Sequence, residues 1–115
     1  MAFAVTYAQW DEGAACLRLA GELELGTASQ LNDAIDRLAT AGQRRFLLDL
    51  TELTFCDSTG IAAFIRGNNQ VSADGGWLRI TGATGRVARV LEVTGLADVL
   101  RYDADASHPP SPSDL

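Results

Sequence analysis

The sequence contains no lysine, one histidine and two cysteines, and each shortage excludes a class of protein. Without lysine there is no G-x-x-x-x-G-K-[ST] loop, so nucleotide binding by that loop is excluded. The one histidine, His108, lies in a Pro/Ser-rich stretch, which disfavours a serine hydrolase because such an enzyme needs an ordered base. Cys16 and Cys56 are too few for a disulfide scaffold and lack metal-site spacing. We predict that both cysteines are small, buried apolar residues and that no metal or cofactor is bound.

Positive charge is scarce and scattered along the chain. The net charge is −6, and nine arginines supply all the basic side chains apart from the histidine. Binding to nucleic acid or to an anionic membrane needs a concentrated basic face, so neither partner is expected. A protein partner with a basic surface is favoured, because opposite charge accelerates encounter.

Long apolar runs are missing as well. No stretch approaches the about 18–20 apolar residues that cross a bilayer, and the first residues do not have the pattern of a signal peptide, so we predict a cytoplasmic protein. The chain has 115 residues, of which 47% are hydrophobic, enough for one domain with its own core. We predict a domain over residues 1–103 and a disordered Pro/Ser-rich tail over residues 104–115.

Apolar periodicity predicts alternating strands and helices. The first two strands form an antiparallel hairpin, and a capping box of Thr27 and Gln30 begins the first helix, which Gly42 ends. The predicted strands cover residues 3–10, 14–20, 45–50, 77–81 and 99–102, and the helices cover residues 28–41, 59–71 and 84–94. The order β-β-α-β-α-β-α-β indicates an α/β fold, with helices packed on a single mixed sheet.

Several side chains within these elements stand out. In the second helix, the spacing turns the apolar residues Ile61, Ala62, Phe64 and Ile65 inward. Asp49 interrupts an apolar strand, so it either caps a neighbouring loop or joins a site near Ser58. Arg66 either orients a phosphate or lies on a solvated helix face, and the two tryptophans, Trp10 and Trp77, are predicted to be core or sheet-face residues.

The segment Cys56-Asp57-Ser58-Thr59-Gly60 joins a predicted strand to the second helix, where ligand and partner sites of α/β folds lie. In the simplest interpretation, Asp57 and Ser58 only cap the helix. A hydroxyl at a helix N-terminus is also accessible to a kinase. The helix dipole would tolerate a phosphate there, and the phosphate would add about 1.5–2 negative charges beside Asp57. The segment is also similar to a nucleophile elbow, but no ordered histidine is available as its base.

Five segments together resemble successive landmarks of the STAS domain family. They are Gly21-Glu22-Leu23-Glu24, Thr27-Ala28-Ser29-Gln30-Leu31, Leu48-Asp49-Leu50, Phe55-Cys56-Asp57-Ser58-Thr59-Gly60 and Leu91-Glu92-Val93-Thr94-Gly95-Leu96. The resemblance covers about residues 3–102. It departs from the family at Glu24, where Asp is usual, and no C-terminal helix of the kind that many members carry is visible.

The resemblance implies a non-enzymatic switch, an anti-sigma factor antagonist. Its unphosphorylated form would bind an anti-sigma factor, a serine kinase of the histidine-kinase-like ATPase type, and so free a sigma factor. Phosphorylation of Ser58, with Thr59 as the less favoured site, would abolish binding, and a phosphatase would reset the switch. The implied partner-binding residues are Glu22, Glu24, Thr27, Asp57, Ser58, Thr59, Gly60, Ile61 and Phe64.

Two further expectations accompany this interpretation. The loop 22–27 and the start of the second helix should lie side by side, because both follow strands whose carboxyl ends share one rim of the sheet. The chain itself should be a monomer or a weak dimer. The alternative function is a STAS domain that acts as a scaffold or ligand sensor in a regulatory complex without phosphorylation.

Overall fold

Four strands and four helices make up the part of the chain that the computed structural model describes, residues 2–102. They are β1 (Phe3–Asp11), β2 (Ala14–Leu23), α1 (Ala28–Thr40), β3 (Arg45–Cys56), α2 (Ser58–Ser72), β4 (Trp77–Thr81), α3 (Gly85–Val93) and α4 (Leu96–Leu100). The predicted tail, residues 104–115, and the predicted domain boundary at residue 103 lie outside the described residues.

The strands form one mixed sheet in the order β1-β2-β3-β4. β1 pairs with β2 in antiparallel fashion, whereas β2 with β3 and β3 with β4 are parallel. The predicted hairpin and the predicted single-domain α/β fold are therefore confirmed. Because β2, β3 and β4 run in the same direction, their carboxyl ends lie along one rim of the sheet.

The two central strands extend beyond their predicted ends. β2 passes through Gly21 to Leu23, and β3 reaches Cys56 instead of residue 50, because the two strands continue to pair as far as Leu23 and Cys56. A register shift after Gly21 accompanies this pairing. The glycine has φ of 100°, and a Cβ there would collide with the carbonyl of Ala2. Gly21 therefore marks an irregularity within a strand and not its end.

The last element differs from the prediction. Residues 96–100 form the short helix α4 in place of a strand over residues 99–102, and the predicted strand survives only as a single bridge between Arg101 and Ile80. Gly95, with φ of 78°, ends α3 in the left-handed conformation and redirects the chain. Leu96 and Leu100 are then one helical turn apart and share one face of α4. Both side chains are buried.

The helices cover one face of the sheet and form the main core with it. In α1 the buried residues are Ala28, Leu31 and Ile35. In α2 the buried residues are Gly60, Ala63, Phe64, Gly67 and Val71. Ala62 and Ile65 are exposed, so their predicted inward placement was wrong. The buried face of α2 contains two glycines, Gly60 and Gly67, and a pattern of apolar side chains does not include glycine. The observed face is therefore rotated about the helix axis relative to the predicted one.

A second, smaller cluster lies on the other face of the sheet and contains no residue of a helix. Its buried members are Trp10, Ala14, Cys16 and Leu47, and Trp77 packs against them, which confirms the sheet-face prediction for the tryptophans. Both cysteines are buried free thiols, as predicted. Burial raises the pKa of Cys16 to about 11 and that of Cys56 to about 12, so both are protonated at neutral pH.

Asp49, the charged residue inside β3, is anchored by its neighbours. Its Oδ1 accepts hydrogen bonds from the amide of Thr51 at 3.0 Å and from the hydroxyl of Thr51 at 2.6 Å. Its Oδ2 accepts from Nε of Arg18 on β2 at 3.3 Å. Burial by itself would raise the pKa of Asp49, but the bonds from Thr51 and the Arg18 guanidinium together hold it below the ordinary value of 3.8. The carboxylate therefore ties β3 to β2.

Replacing Asp49 by Asn should lower the free energy of unfolding at pH 7 by about 1–2 kcal/mol, because charge-assisted hydrogen bonds become neutral ones. A depressed folded-state pKa stabilises the fold above the unfolded pKa, and this contribution is lost as the pH falls through the folded value. The difference between wild type and variant should thus be constant near neutrality and shrink below pH 3.8. Urea unfolding of both proteins at a series of pH values measures this difference in the free energy of unfolding. A difference that does not change with pH would contradict the prediction.

Candidate functional site

Ser58 is the first residue of α2, and Asp57 before it is the helix cap. Oδ1 of Asp57 accepts hydrogen bonds from the amides of Thr59 at 2.9 Å and Gly60 at 3.2 Å. Within residues 2–102 the Ser58 hydroxyl has no hydrogen-bond partner, and the side chain is exposed. Asp57 thus satisfies the free amides of the helix and leaves the serine hydroxyl available to solvent.

The turn between β2 and α1, residues 22–27, is held by its own side chains. The Thr27 hydroxyl donates to the carbonyl of Glu22 at 2.7 Å and accepts from the amide of Glu24 at 3.0 Å. It makes no cap bond to α1, so the predicted capping box with Gln30 is wrong. Oε1 of Glu24 accepts from the amide of Gly26 at 2.7 Å. The carboxylate of Glu24 therefore folds back onto the turn.

The turn and the start of α2 are in direct contact, as the sequence predicted. Leu23 pairs with Cys56 at the end of the β2–β3 ladder, and the amide of Asp57 donates to the carbonyl of Leu23 at 3.2 Å. The first turn of α2 then packs onto both strand ends through Gly60. A Cβ on this glycine would lie 2.7 Å from Sγ of Cys56 and 2.9 Å from Cγ of Leu23. We call this surface, residues 22–27 together with 57–66, the rim site.

Replacing Gly60 by Ala should lower the free energy of unfolding by about 1–3 kcal/mol, the usual result of overpacking. Helix propensity opposes this by about 1 kcal/mol. Gly67→Ala is the comparison on the same helix and should be destabilised less. Its Cβ would meet terminal methyl groups, Cδ1 of Leu78 at 2.9 Å and Cδ1 of Ile35 at 3.0 Å, which a small side-chain rotation moves more easily than the Cγ branch point of Leu23. Urea unfolding of both variants checks the difference, and equal stability of the two would contradict close packing at Gly60.

The predicted partner-binding residues differ in their exposure. Ser58 is exposed, and the partly exposed residues are Glu22, Glu24, Asp57, Thr59 and Ile61. Thr27 and Gly60 are buried, so they shape the site without offering side-chain surface. Phe64 is 0% exposed, and its prediction as a contact residue was wrong, because it faces the core.

Sequence reasoning missed three apolar residues of the rim site. Leu25 is 79% exposed and lies at the tip of the turn, and Ile65 is 44% exposed on α2. Ala62 is exposed as well and shares a face of the helix with Ser58 and Ile65, since the three are spaced by about one helical turn. The sequence contains one sign of this surface, Leu25, because a lone leucine between Glu24 and Gly26 in a turn is a candidate for an exposed apolar residue.

The charges of the rim site are mainly acidic. Glu22 and Glu24 lie at the turn between β2 and α1, and Asp57 directly precedes Ser58. Arg66 contributes a guanidinium at the far end of the segment, but its Nη2 lies 3.4 Å from Oδ2 of Asp36 on α1. Of the two alternatives for Arg66, this exposed ion pair fits the second, a residue on a solvated helix face.

Within residues 2–102, no group of three or more His, Cys, Asp or Glu side chains is arranged to hold a metal ion. None of the helices in this range has the length and apolar character to span a membrane.

Residues 7–102 match the sequence profile of the family described as "Mlab, STAS domain". The chain belongs to the STAS domain family. It is 27% identical over 87 residues to the anti-sigma-B factor antagonist of Staphylococcus aureus, a match that covers 76% of this chain and 81% of the relative.

Two solved structures show the same fold. The anti-sigma factor antagonist SpoIIAA in its unphosphorylated form superposes with a TM-score of 0.78 at 19% identity, over 96% of this chain and 91% of that chain. The Bacillus cell fate determinant SpoIIAA in the phosphorylated form superposes with a TM-score of 0.72 at 17% identity, over 96% and 95% of the two chains.

Proposed function

We propose that this protein is an anti-sigma factor antagonist whose binding is switched off by phosphorylation of Ser58. In its unphosphorylated form the rim site binds an anti-sigma factor, which then releases a sigma factor. The name of the Staphylococcus aureus relative supports the antagonist function, and the existence of a phosphorylated form of SpoIIAA, the structural neighbour, supports the switch. The anti-sigma factor is itself a serine kinase of the histidine-kinase-like ATPase type, and a phosphatase removes the phosphate.

The single observation that carries the proposal is the exposed Ser58 hydroxyl beside an Asp57 carboxylate that is already engaged with two amides. A kinase can reach the hydroxyl without unfolding the helix. The phosphate would lie at the N-terminus of α2, where the helix dipole stabilises negative charge by about 0.3–1 kcal/mol. Folding is therefore little affected, whereas the surface presented to the partner gains about 1.5–2 negative charges.

The apolar residues of the rim site supply the binding energy in this proposal. Leu25 and Ile65 are large exposed apolar side chains, of the kind that a partner can bury, and Ala62 leaves room beside them for a partner side chain. The acidic side chains around them select a partner with a basic surface. The carboxylates already match the basic groups of the partner, whereas Ser58 lies beside the apolar residues. A phosphate on Ser58 would therefore be buried against apolar surface and lose its water without a counter-charge of its own, which disfavours binding.

The proposed phosphorylation can be tested with each anti-sigma factor kinase of the cell of origin, purified and incubated with the protein and ATP. Peptide mapping should place one phosphate on Ser58, and Ser58→Ala should take up none. Thr59→Ala is the matched control, because it removes the neighbouring hydroxyl and keeps Ser58. It should be phosphorylated as wild type is. A phosphate found only on Thr59 would overturn the assignment to Ser58.

The alternative, a ligand sensor without phosphorylation, is favoured by one observation. A cavity of about 370 Å³ lies at the carboxyl end of β4, with Ile80, Leu91 and Ala97 among its lining residues. Its volume is within the range of small-molecule sites. If no kinase phosphorylates Ser58 and the anti-sigma factor binds wild type and Ser58→Asp equally, the sensor function replaces the switch.

A further inference from the structure

The second face of the sheet is covered by its own side chains and, within residues 2–102, by no helix. Leu47 is 0% and Cys16 is 4% exposed, although the cluster to which they belong contains no helix residue. Trp10 on β1 and Trp77 on β4 reach toward each other over these central residues, with ring centroids 6.3 Å apart and planes at 68°. Since β1 and β4 are the outer strands of the sheet, the two indoles span its width. We call this surface, Trp10, Trp77 and the side chains around them, the tryptophan face.

A polar atom on this face lacks a partner. Nε1 of Trp10 is buried and has no hydrogen-bond acceptor among residues 2–102, and the side chain as a whole is only 8% exposed. Burying an indole N–H without an acceptor costs about 1–3 kcal/mol, so buried donors are nearly always satisfied. An acceptor from beyond the described residues 2–102 would remove this penalty.

The same face concentrates positive charge in an acidic protein. Arg18 pairs with Asp49 and remains half-exposed, and the guanidinium of Arg79 lies 5.8 Å from the centre of the Trp77 ring. Arg45 is paired in register with Trp77 and therefore shares its face, and its Nη2 lies 3.9 Å from Oδ2 of Asp11. Three of the nine arginines thus lie on this face, and within residues 2–102 Arg79 is the one of the three without a carboxylate partner. The face fits an acidic segment with apolar rings and free carbonyl groups.

We propose that the tryptophan face binds the chain's own residues 103–115. This segment contains all three prolines of the sequence, Pro109, Pro110 and Pro112, as well as Asp103 and Asp105, and it has no arginine. Proline-rich segments adopt an extended helix without internal hydrogen bonds, so their carbonyls are free to accept from an indole N–H while their rings pack on aromatic side chains.

The position and length of the segment suit this binding. Tyr102, the last described residue, packs against the cluster that contains Trp10, so the segment continues from the edge of the tryptophan face. Seven residues from Tyr102 to Pro109 reach about 20 Å at about 3.1 Å per residue. The sheet is about 14 Å wide, with about 4.8 Å between neighbouring strands. Covalent attachment also gives the segment an effective concentration in the millimolar range, so weak contacts suffice.

Tryptophan fluorescence tests the proposal directly, because the chain has two tryptophans and both lie on this face. The full chain is compared with a variant in which Pro109, Pro110 and Pro112 are replaced by Gly, and with Asp103→Asn/Asp105→Asn. Acrylamide quenching should increase about two-fold or more in the proline variant, because the docked fraction falls. It should increase in the aspartate variant as well, and the emission of both should shift to longer wavelength.

The matched control replaces Ser107, Ser111 and Ser113 by Gly, which adds the same number of glycines but keeps every proline and aspartate. It should be quenched as wild type is. The indole N–H resonance of Trp10 in nitrogen-15 NMR spectra provides a second readout, which should shift in the proline and aspartate variants and stay unchanged in this control. If the proline and aspartate variants are quenched like wild type and this resonance is unmoved, the segment does not cover the face. If protection is lost on dilution, a second copy covers it, and the proposal is also overturned.

Discussion

Replacing Ser58 by Asp is expected to weaken binding to the anti-sigma factor by about 100-fold or more, because a charge buried at an interface without a counter-charge costs several kcal/mol. The fold should persist, since an acidic residue in the first turn of α2 is favoured by the helix dipole. Thermal unfolding should therefore change by no more than about 1 kcal/mol in free energy. Binding isotherms and melting curves for the same preparations check both statements.

Ser58→Asn is the matched control for this experiment, because it has the shape of Asp without the charge. It should bind far better than Ser58→Asp, and Ser58→Ala should bind as wild type does and resist inactivation by the kinase. If Asn weakens binding as much as Asp, the shape at this position matters and not the charge. If Asp binds as wild type does, Ser58 is an ordinary helix residue and the proposed switch fails.

The second large effect concerns two neighbouring residues of α2 that were both predicted to face inward. Phe64→Ala should lower the free energy of unfolding by about 3–5 kcal/mol, because a fully buried ring leaves a cavity. Small domains have total stabilities of only about 5–15 kcal/mol, so the midpoint of urea unfolding should fall markedly. Ile65→Ala removes a side chain that is 44% exposed and should change stability by about 1 kcal/mol or less.

The same pair separates folding from binding. Ile65→Ala should weaken binding to the anti-sigma factor by about ten-fold, since a buried interface anchor contributes more than 1 kcal/mol. Phe64→Leu, which keeps most of the core volume, should bind almost as wild type does once it is folded. If Ile65→Ala binds with full affinity, the exposed apolar face of α2 does not belong to the interface. That result would leave the assignment of Ser58 untouched.

The fold class could be predicted because strands and helices alternate with distinct periods along the chain. The position of the rim site could also be predicted, since a strand followed by a helix places the joining segment at the carboxyl end of the sheet. The contact between residues 22–27 and the start of α2 followed from the same rule. In each case the signal is contained in one short segment of sequence.

The details that could not be predicted depend on contacts between distant segments. Leu23 and Cys56 belong to strands only because they pair with each other, and neither segment contains a sign of its partner. The orientation of α2 depends on Gly60 and Gly67, whose fit against neighbouring side chains is invisible to a hydrophobic pattern. Phe64 and Ile65 were therefore given the same role, although one is in the core and the other on the surface.

The order of the strands in the sheet, β1-β2-β3-β4, is also their order in the chain. During synthesis, the neighbour of each new strand has therefore left the ribosome before it. The sheet can grow by adding strands at one edge, and no strand has to insert between two that are already paired. Sheets built this way keep contacting residues close in sequence, which favours rapid folding. Both halves of the rim site come from the adjacent strands β2 and β3 and the elements that follow them. We expect the rim site to assemble as soon as these elements are free to pair.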